Sequence, residues 1–364
     1  MKEAALLMVL TVFASLNSGC LVPDAPNERT IDTIEATEHI LAVDASFLPQ
    51  LLASGTVYYD ASGVEVEPLV LFREQGVNTL RLRVWVNPAT NASSLSEVTA
   101  FAATARDMGF NIWIAPHFSD TWADPGWQAA PEAWSEHNFS ELNAAVAHHV
   151  RDIMVAINPD IIQLGNEINH GFLHPHGRIN NGSAPFLQLL ETASQTVRNH
   201  SSTTSIMLHY AGHEGSLSFF HLVDAVDYDI IGLSFYPLWH GQSLLALGEA
   251  LQNLSSTYDK DVLVAETAYP FTLDWYDWTD NIVGSDDQLI LPAYPATPTG
   301  QLHFLTDLKQ TVLDVDRGLG FAYWAPEWVA WDGNRSETGS PWENQALFDE
   351  HHRTLPAFAA FGKP

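Results

Sequence analysis

One cysteine, Cys20, stands in a chain of 364 residues, so no intrachain disulfide can form and export would bring no cystine staples. Positive charge is scarce: Lys and Arg total 15 against 44 Asp and Glu, a formal net charge of −29. Such a surface repels nucleic acid and polyanions such as polyuronates, leaving neutral or cationic partners. A salty habitat is a second source for the same composition. Long hydrophobic runs are missing as well. The apolar run from Ala4 to Leu16, behind Lys2 and Glu3, is too short to span a membrane and has the shape of a signal-peptide core. There is no short-period repeat and no low-complexity tract. A Gly-rich phosphate turn after the first strand is also absent, which disfavours a doubly wound nucleotide-binding fold.

What is present is ample core material, with 46% hydrophobic and 11% aromatic residues. Twelve Trp is a high count. A buried indole needs a partner for its N–H, so the surplus points to aromatic surfaces along a groove, while ordinary packing accounts for most of them. The apolar N-terminal run closes on Asn17-Ser18-Gly19-Cys20. This pattern is similar to a bacterial lipoprotein cleavage site, with residues 1–20 as leader and Cys20 as the lipidated new terminus. Asn17 stands where Leu is usual, so simple secretion is the alternative. Residues 21–38, polar and holding Pro23 and Pro26, read as a flexible tether. The expected location is exported, at the cell surface or outer membrane or secreted, touching a membrane only through lipid on Cys20. The adjacent pairs His148-His149 and His351-His352 would point to different sides of a helix, so neither is assigned as a metal site.

From residue 39 onward apolar strand-like runs alternate with helical spacing. The strands are expected at 40–47, 79–86, 111–118, 161–166, 205–210, 230–236, 262–267 and 320–324. Helices are expected at 65–75, 95–108, 139–157, 186–198, 244–258 and 301–313. Eight strands each followed by a helix is the count of a single (β/α)8 TIM barrel over residues 39–364.

Such barrels carry their chemistry where strands end and loops begin. The run Ile161-Ile162-Gln163-Leu164-Gly165-Asn166-Glu167 is an apolar strand that delivers a carboxylate at a polar edge, and Asp261-Val262-Leu263-Val264-Ala265-Glu266 repeats that grammar. Either Glu alone reads as the start of a loop or the partner of an Arg. Two of them across one cleft are what glycoside hydrolysis needs, one protonated to serve the leaving oxygen and one ionised to attack or activate water. The other strand ends agree. Arg81, Arg83 and Trp85 share one face at period two, which is an odd set to turn inward unless positive charge is needed there. His117, Asp120, Trp122, His209, Tyr236, Trp239 and Trp324 fall at or just past the remaining ends.

At these residues the chain resembles a known family, the arabinogalactan endo-β-1,4-galactanases of glycoside hydrolase family 53. The matching stretches are 76–88 (GVNTLRLRVWVNP), 117–125 (HFSDTWADP), 164–168 (LGNEI), 232–237 (GLSFYP), 264–267 (VAET) and 318–324 (GLGFAYW). The resemblance implies a retaining barrel enzyme cutting β-1,4-galactan, the neutral side chain of pectin. Glu167 would be general acid/base and Glu266 nucleophile, with Asn166 on the sugar 2-OH. Arg81, Arg83 and Tyr236 would keep Glu266 ionised and oriented. His117 stands at the family's site histidine, Trp324 would floor the reacting subsite, and Asp120, Trp122 and Trp239 would complete substrate binding. No cofactor is required, no nucleic acid is expected, and the enzyme would be a monomer.

Two features depart from the family. The stretch after strand eight is Trp324-Ala325-Pro326-Glu327 where Trp-Glu-Pro is common. Some bacterial members hold calcium in the loop after strand seven; here 274–287 carries Asp274, Asp277, Asp280, Asn281, Asp286 and Asp287 without a clean match. A structural calcium there competes with a solvated acidic loop, which is the reading taken. Competing functions are a relative cutting mannan or glucan, and a surface lipoprotein that binds glycan without cleaving it. The intact Asn166, Glu167 and Glu266 argue against the latter.

Overall fold

Eight short parallel strands close on themselves: β1 (Ile40–Asp44), β2 (Thr79–Val84), β3 (Asn111–Pro116), β4 (Ile161–Gln163), β5 (Ser205–Ala211), β6 (Ile230–Ser234), β7 (Asp261–Thr267) and β8 (Gly318–Trp324). The molecule, a computed structural model, is described over residues 39–179 and 182–362; the leader and tether expected in 1–38 lie outside the described residues. The seam is β1, which pairs with β8 at Ile40–Gly320 and with β2 at Ala42–Thr79. Alternation along each strand splits its apolar side chains into two sets. Leu41, Val43, Leu80, Leu82, Ile112 and Ile114 join the large core under the helices. Ala42, Trp113, Met207, Leu263 and Ala322 form a separate small cluster, which period two places inside the barrel. Below its mouth the interior is therefore packed with side chains.

The helices are α1 (Leu48–Ala53), α2 (Pro68–Glu74), α3 (Leu95–Asp107), α4 (Phe139–Ala156), α5 (Ala184–His200), α6 (Ser216–Val223), α7 (Pro237–His240), α8 (Leu244–Tyr258) and α9 (Pro298–Leu313). Their starts follow cap chemistry. Asn138 accepts from the N–H groups of Ser140 and Glu141 while Glu141 answers on the Asn138 N–H, a closed capping box worth about 1 kcal/mol. Leu142, Val146, Val150 and Ile153 then fall on one buried face.

Three expectations need correction. The helix expected at 65–75 begins only at Pro68, because Glu65–Val66 pairs with Tyr58–Tyr59 in a small hairpin and Glu67 caps the helix by accepting from the Val70 N–H. Several strands end earlier than expected: β3 stops at Pro116 and β4 at Gln163, since Phe118 (φ 51°) and Gly165 (φ 86°) are left-handed and cannot stay in a ladder. Finally, β8 is not followed by an α-helix. The chain loops from Ala325 to a 3₁₀ segment, Pro356–Phe361, whose Phe358 packs on Phe72 (5.8 Å) and Phe361 on Phe321 (5.2 Å).

Candidate active site

The mouth of the barrel is built around Arg81, buried to 1% exposure. A guanidinium out of water must find carboxylates and carbonyls for its fork, and Arg81 does. Its Nη1 donates to Asp44 Oδ2 (2.5 Å), Nη2 to Glu266 Oε1 (2.6 Å) and Asn166 Oδ1 (2.8 Å), and Nε to Gln163 Oε1 (3.1 Å). The ends of three strands, β1, β4 and β7, are thereby tied to one side chain of β2. Gln163 Nε2 in turn donates to Asn166 Oδ1 (3.0 Å), and Asn166 Nδ2 donates to the Ala123 carbonyl (2.8 Å).

Glu167 is reached by two left-handed steps, Gly165 (φ 86°) and Glu167 itself. At 165 only glycine fits, because a Cβ would lie 2.5 Å from Ile168 Cγ2. A non-glycine residue held left-handed stores on the order of 1 kcal/mol and needs its surroundings to hold it. Gln128 Nε2 does so by donating to the Asn166 and Glu167 carbonyls (2.7 and 3.2 Å), and Ser234 Oγ donates to Glu167 Oε1 (2.5 Å).

The two carboxyls live in unequal surroundings. Burial first, and then repulsion from Glu266, push Glu167 up to about 8. Burial raises Glu266 too, but the Arg81 ion pair and the Tyr236 hydroxyl (3.1 Å) pull it back. Of the pair, Glu167 holds the proton. Both face a cavity of about 390 Å³ that is also lined by Trp122, Trp239, Trp324 and Trp342. Trp324 packs on Trp342 (ring centroids 4.5 Å apart) and against Trp122 (6.0 Å), so part of the cavity wall is a continuous aromatic surface.

Two carboxyls in unequal surroundings beside an aromatic wall suit glycoside chemistry, and the comparisons agree. The sequence profile of Glycosyl hydrolase family 53 matches residues 40–361. The chain belongs to that family. It is 34% identical over 348 residues to the arabinogalactan endo-beta-1,4-galactanase of Cellvibrio japonicus, covering 89% of this chain and 91% of that one. It is 32% identical to the arabinogalactan endo-beta-1,4-galactanase A of Emericella nidulans, covering 85% and 90%. The solved Ignisphaera aggregans GH53 catalytic domain superposes with a TM-score of 0.83 at 38% identity, over 90% of this chain and 96% of that one.

Within this family 53 chain the expected residues do not all meet. Glu167, Glu266, Asn166, Arg81, His117, Trp122, Tyr236, Trp239 and Trp324 line the cavity. His117 accepts the Ala123 N–H at Nδ1 (3.1 Å), and burial holds it well below its usual pKa, so the ring is neutral with its proton on Nε2. Arg83 lines the cavity but forms no ion pair with Glu266. Its guanidinium lies over Trp122 (4.1 Å) and Phe47 (4.3 Å) and donates to Ser93 Oγ (2.9 Å). Asp120 is outside the cavity wall: its two oxygens accept from the N–H groups of Asn87 and Glu132 (2.9 Å each), so it clamps loops together.

Glu327, the departure after β8, is buried and turned inward. Its Oε1 accepts from the Phe47 N–H (3.0 Å), and Phe47 stacks on Trp328 (3.7 Å) and edges onto Trp324 (5.8 Å). Burial raises Glu327 to about 8. Sequence reasoning missed Asp44, Gln163 and Ser234. Asp44 had a signal, a carboxylate closing the apolar run ILAVD directly beside Arg81 in register; the other two had none. Among the described residues no group of three or more His, Cys, Asp and Glu is arranged to hold a metal ion. The acidic loop is nonetheless not wholly solvated as expected, since Asp277 and its neighbour Glu343 are buried.

Proposed function

We propose that this chain is an endo-acting β-1,4-galactanase working by double displacement with retention. The observation that carries the mechanism is the inequality of Glu167 and Glu266, one protonated and the other paired with Arg81, across one cavity. A galactosyl ring stacked on Trp324 presents its anomeric carbon to Glu266, which attacks as Glu167 gives its proton to the departing oxygen. Glu167, now ionised, takes a proton from water, and that water releases the sugar from Glu266 with the original configuration. Asn166 has one N–H left for the 2-OH after serving Ala123. Neutral galactan suits a chain of net charge −29, and the named activity of the Cellvibrio and Emericella relatives supports that substrate.

The test is reducing-sugar release from galactan, arabinogalactan, mannan, cellulose and polygalacturonate. Galactan should be cut first; turnover of polygalacturonate without galactan would overturn the reading. Roles are separated by azide rescue. Glu266→Ala should give inverted glycosyl azide, and Glu167→Ala should give the retained one from substrates with good leaving groups.

The same proposal covers export by the 1–20 leader, with lipid on Cys20 and the enzyme a monomer. Mass spectrometry of the mature chain checks the first, and an unmodified terminus downstream of Cys20 would refute it. It also includes one structural cation after β7. Asp277 Oδ2, Asn281 Oδ1 and Glu343 Oε2 are buried oxygens without hydrogen-bond partners, the hard ligands calcium takes. Calcium should raise Tm in a way that a chelator reverses, and an unchanged Tm would remove the ion from the account.

A further inference from the structure

His209 on β5 and Ser234 on β6 are fully buried and have no part in the two steps above. Their hydrogen bonds run in one direction. The Glu167 backbone N–H points at His209 Nδ1 (3.3 Å), and Gln163 Nε2 lies 3.0 Å from the same atom. The Gln163 amide is oriented by its other end, which accepts from Arg81 Nε, so Nε2 is a donor here. Its two protons go to the Gly165 carbonyl (2.9 Å) and Asn166 Oδ1 (3.0 Å), so it is the Glu167 backbone N–H that donates to Nδ1. The Asn166 carbonyl oxygen also lies near it (3.2 Å), but that oxygen is already served by Arg81 and Gln163. Nδ1 is an acceptor, and the imidazole proton sits on Nε2. Nε2–H donates to Ser234 Oγ (2.9 Å), which leaves the hydroxyl proton for Glu167 Oε1 (2.5 Å).

Resting on the galactanase reading, we propose that His209 and Ser234 are a positioning relay that delivers a fixed hydrogen-bond donor to Oε1 of Glu167. The proton that Glu167 passes to the leaving group is thereby confined to Oε2, which has no protein hydrogen-bond partner. The backbone N–H of Glu167 closes the loop, since the residue being oriented also fixes the tautomer of the histidine that orients it.

The relay matters most in the second half of the reaction. Glu167 must then be a carboxylate able to take a proton from water. In the free enzyme burial, Glu266 and Asp124 favour its neutral form, while the Ser234 hydroxyl and Arg81 oppose them; once Glu266 is esterified its charge is gone, and burial and Asp124 remain against the same hydroxyl and Arg81. Tyr236 also faces the site, held neutral by burial and the two carboxylates. His209 stays uncharged, because burial and the neighbouring Arg81, His117 and His240 all disfavour its protonation. A neutral histidine keeps the direction of the chain constant across the working pH range.

The test compares Ser234→Ala and Ser234→Thr with wild type. Glu167 is followed in the free enzyme by carbon NMR of labelled glutamate carboxyls, and turnover is measured on an aryl galactoside with an activated leaving group. Loss of a hydrogen bond to a carboxylate should move the Glu167 titration, and the alkaline limb of kcat/KM with it, up by about one pH unit. Deglycosylation should slow about tenfold, so kcat and KM fall together on the activated substrate while kcat/KM holds. Thr, which keeps the hydroxyl, should restore both. His209→Asn, which leaves Ser234 in place, should move the titration in the same direction by less. A Ser234→Ala titration at or below that of wild type, or a fall in kcat with KM unchanged, would overturn the relay. Because the NMR titration needs no substrate, the relay is judged even if wild type fails to cut galactan, an outcome that would sink the galactanase reading alone.

Discussion

Arg81 and Arg83 lie two residues apart on one strand, both turned toward the mouth and both buried, yet the molecule accommodates them in opposite ways. Around Arg81 the answer is electrostatic: two carboxylates and two side-chain carbonyls fill its fork. Around Arg83 it is aromatic. The guanidinium rests against Trp122, Phe47 and Trp85, one of its nitrogens is unpartnered, and burial lowers it to about 10. The first arginine sets the charge of Glu266. The second shapes an aromatic wall of the cavity, and Glu327, kept neutral by the same burial, belongs with that wall. One residue type on one face thus serves charge control in one place and packing in the other.

Four substitutions test that contrast. Arg81→Met should do the greatest harm, leaving Asp44 and Glu266 buried without a cation: a loss of about 3–5 kcal/mol in denaturant unfolding, with activity abolished. Unchanged stability would mean the network holds little energy. Glu327→Gln tests the neutral wall. The Glu327 carboxyl is raised in the fold to about 8 from an ordinary 4.5, so the stability it contributes is full below 4.5 and is lost as pH rises through 8. The glutamine variant lacks that loss and should gain on wild type between pH 5 and 8 by up to about 1.4 kcal/mol per pH unit, read as Tm–pH profiles that diverge as pH rises. Trp324→Ala should lower kcat/KM on galactan on the order of tenfold through lost stacking. Arg83→Met should do least. Replacing an unpaired buried cation by an apolar chain of similar length should keep stability within about 1 kcal/mol of wild type. A collapse like that of Arg81→Met would show that Arg83 works as an ion after all.

The barrel was legible because its signals are local and repeated: apolar runs of strand length, helical spacing between them, and polar residues at each end. The hairpin before α2 and the 3₁₀ tail were not, since both are decided by what packs against them rather than by their own pattern. At the site, Glu167, Glu266 and Arg81 announced themselves as charges ending or interrupting apolar strands. Arg83 was misassigned because period two tells which way a side chain points but not what it meets. Asp120 sits inside the matching stretch 117–125 and turns out to hold loops, because a motif marks a local shape as readily as a contact with substrate. Ser234 was invisible; a small hydroxyl in an apolar strand gives no sign that a carboxylate lies 2.5 Å away.

The seam at β1 has a consequence for the order in which the chain can fold. Ile40–Asp44 is made first and finds β2 soon after, but its other edge waits for Gly318–Trp324. Until the ribosome has passed β8 the sheet has two open margins, and the pocket, whose floor includes Trp324, does not exist. Contacts this far apart in sequence make closure a late event. Before that closure the barrel is an open ribbon, and the chain becomes an enzyme only when its last strand meets its first.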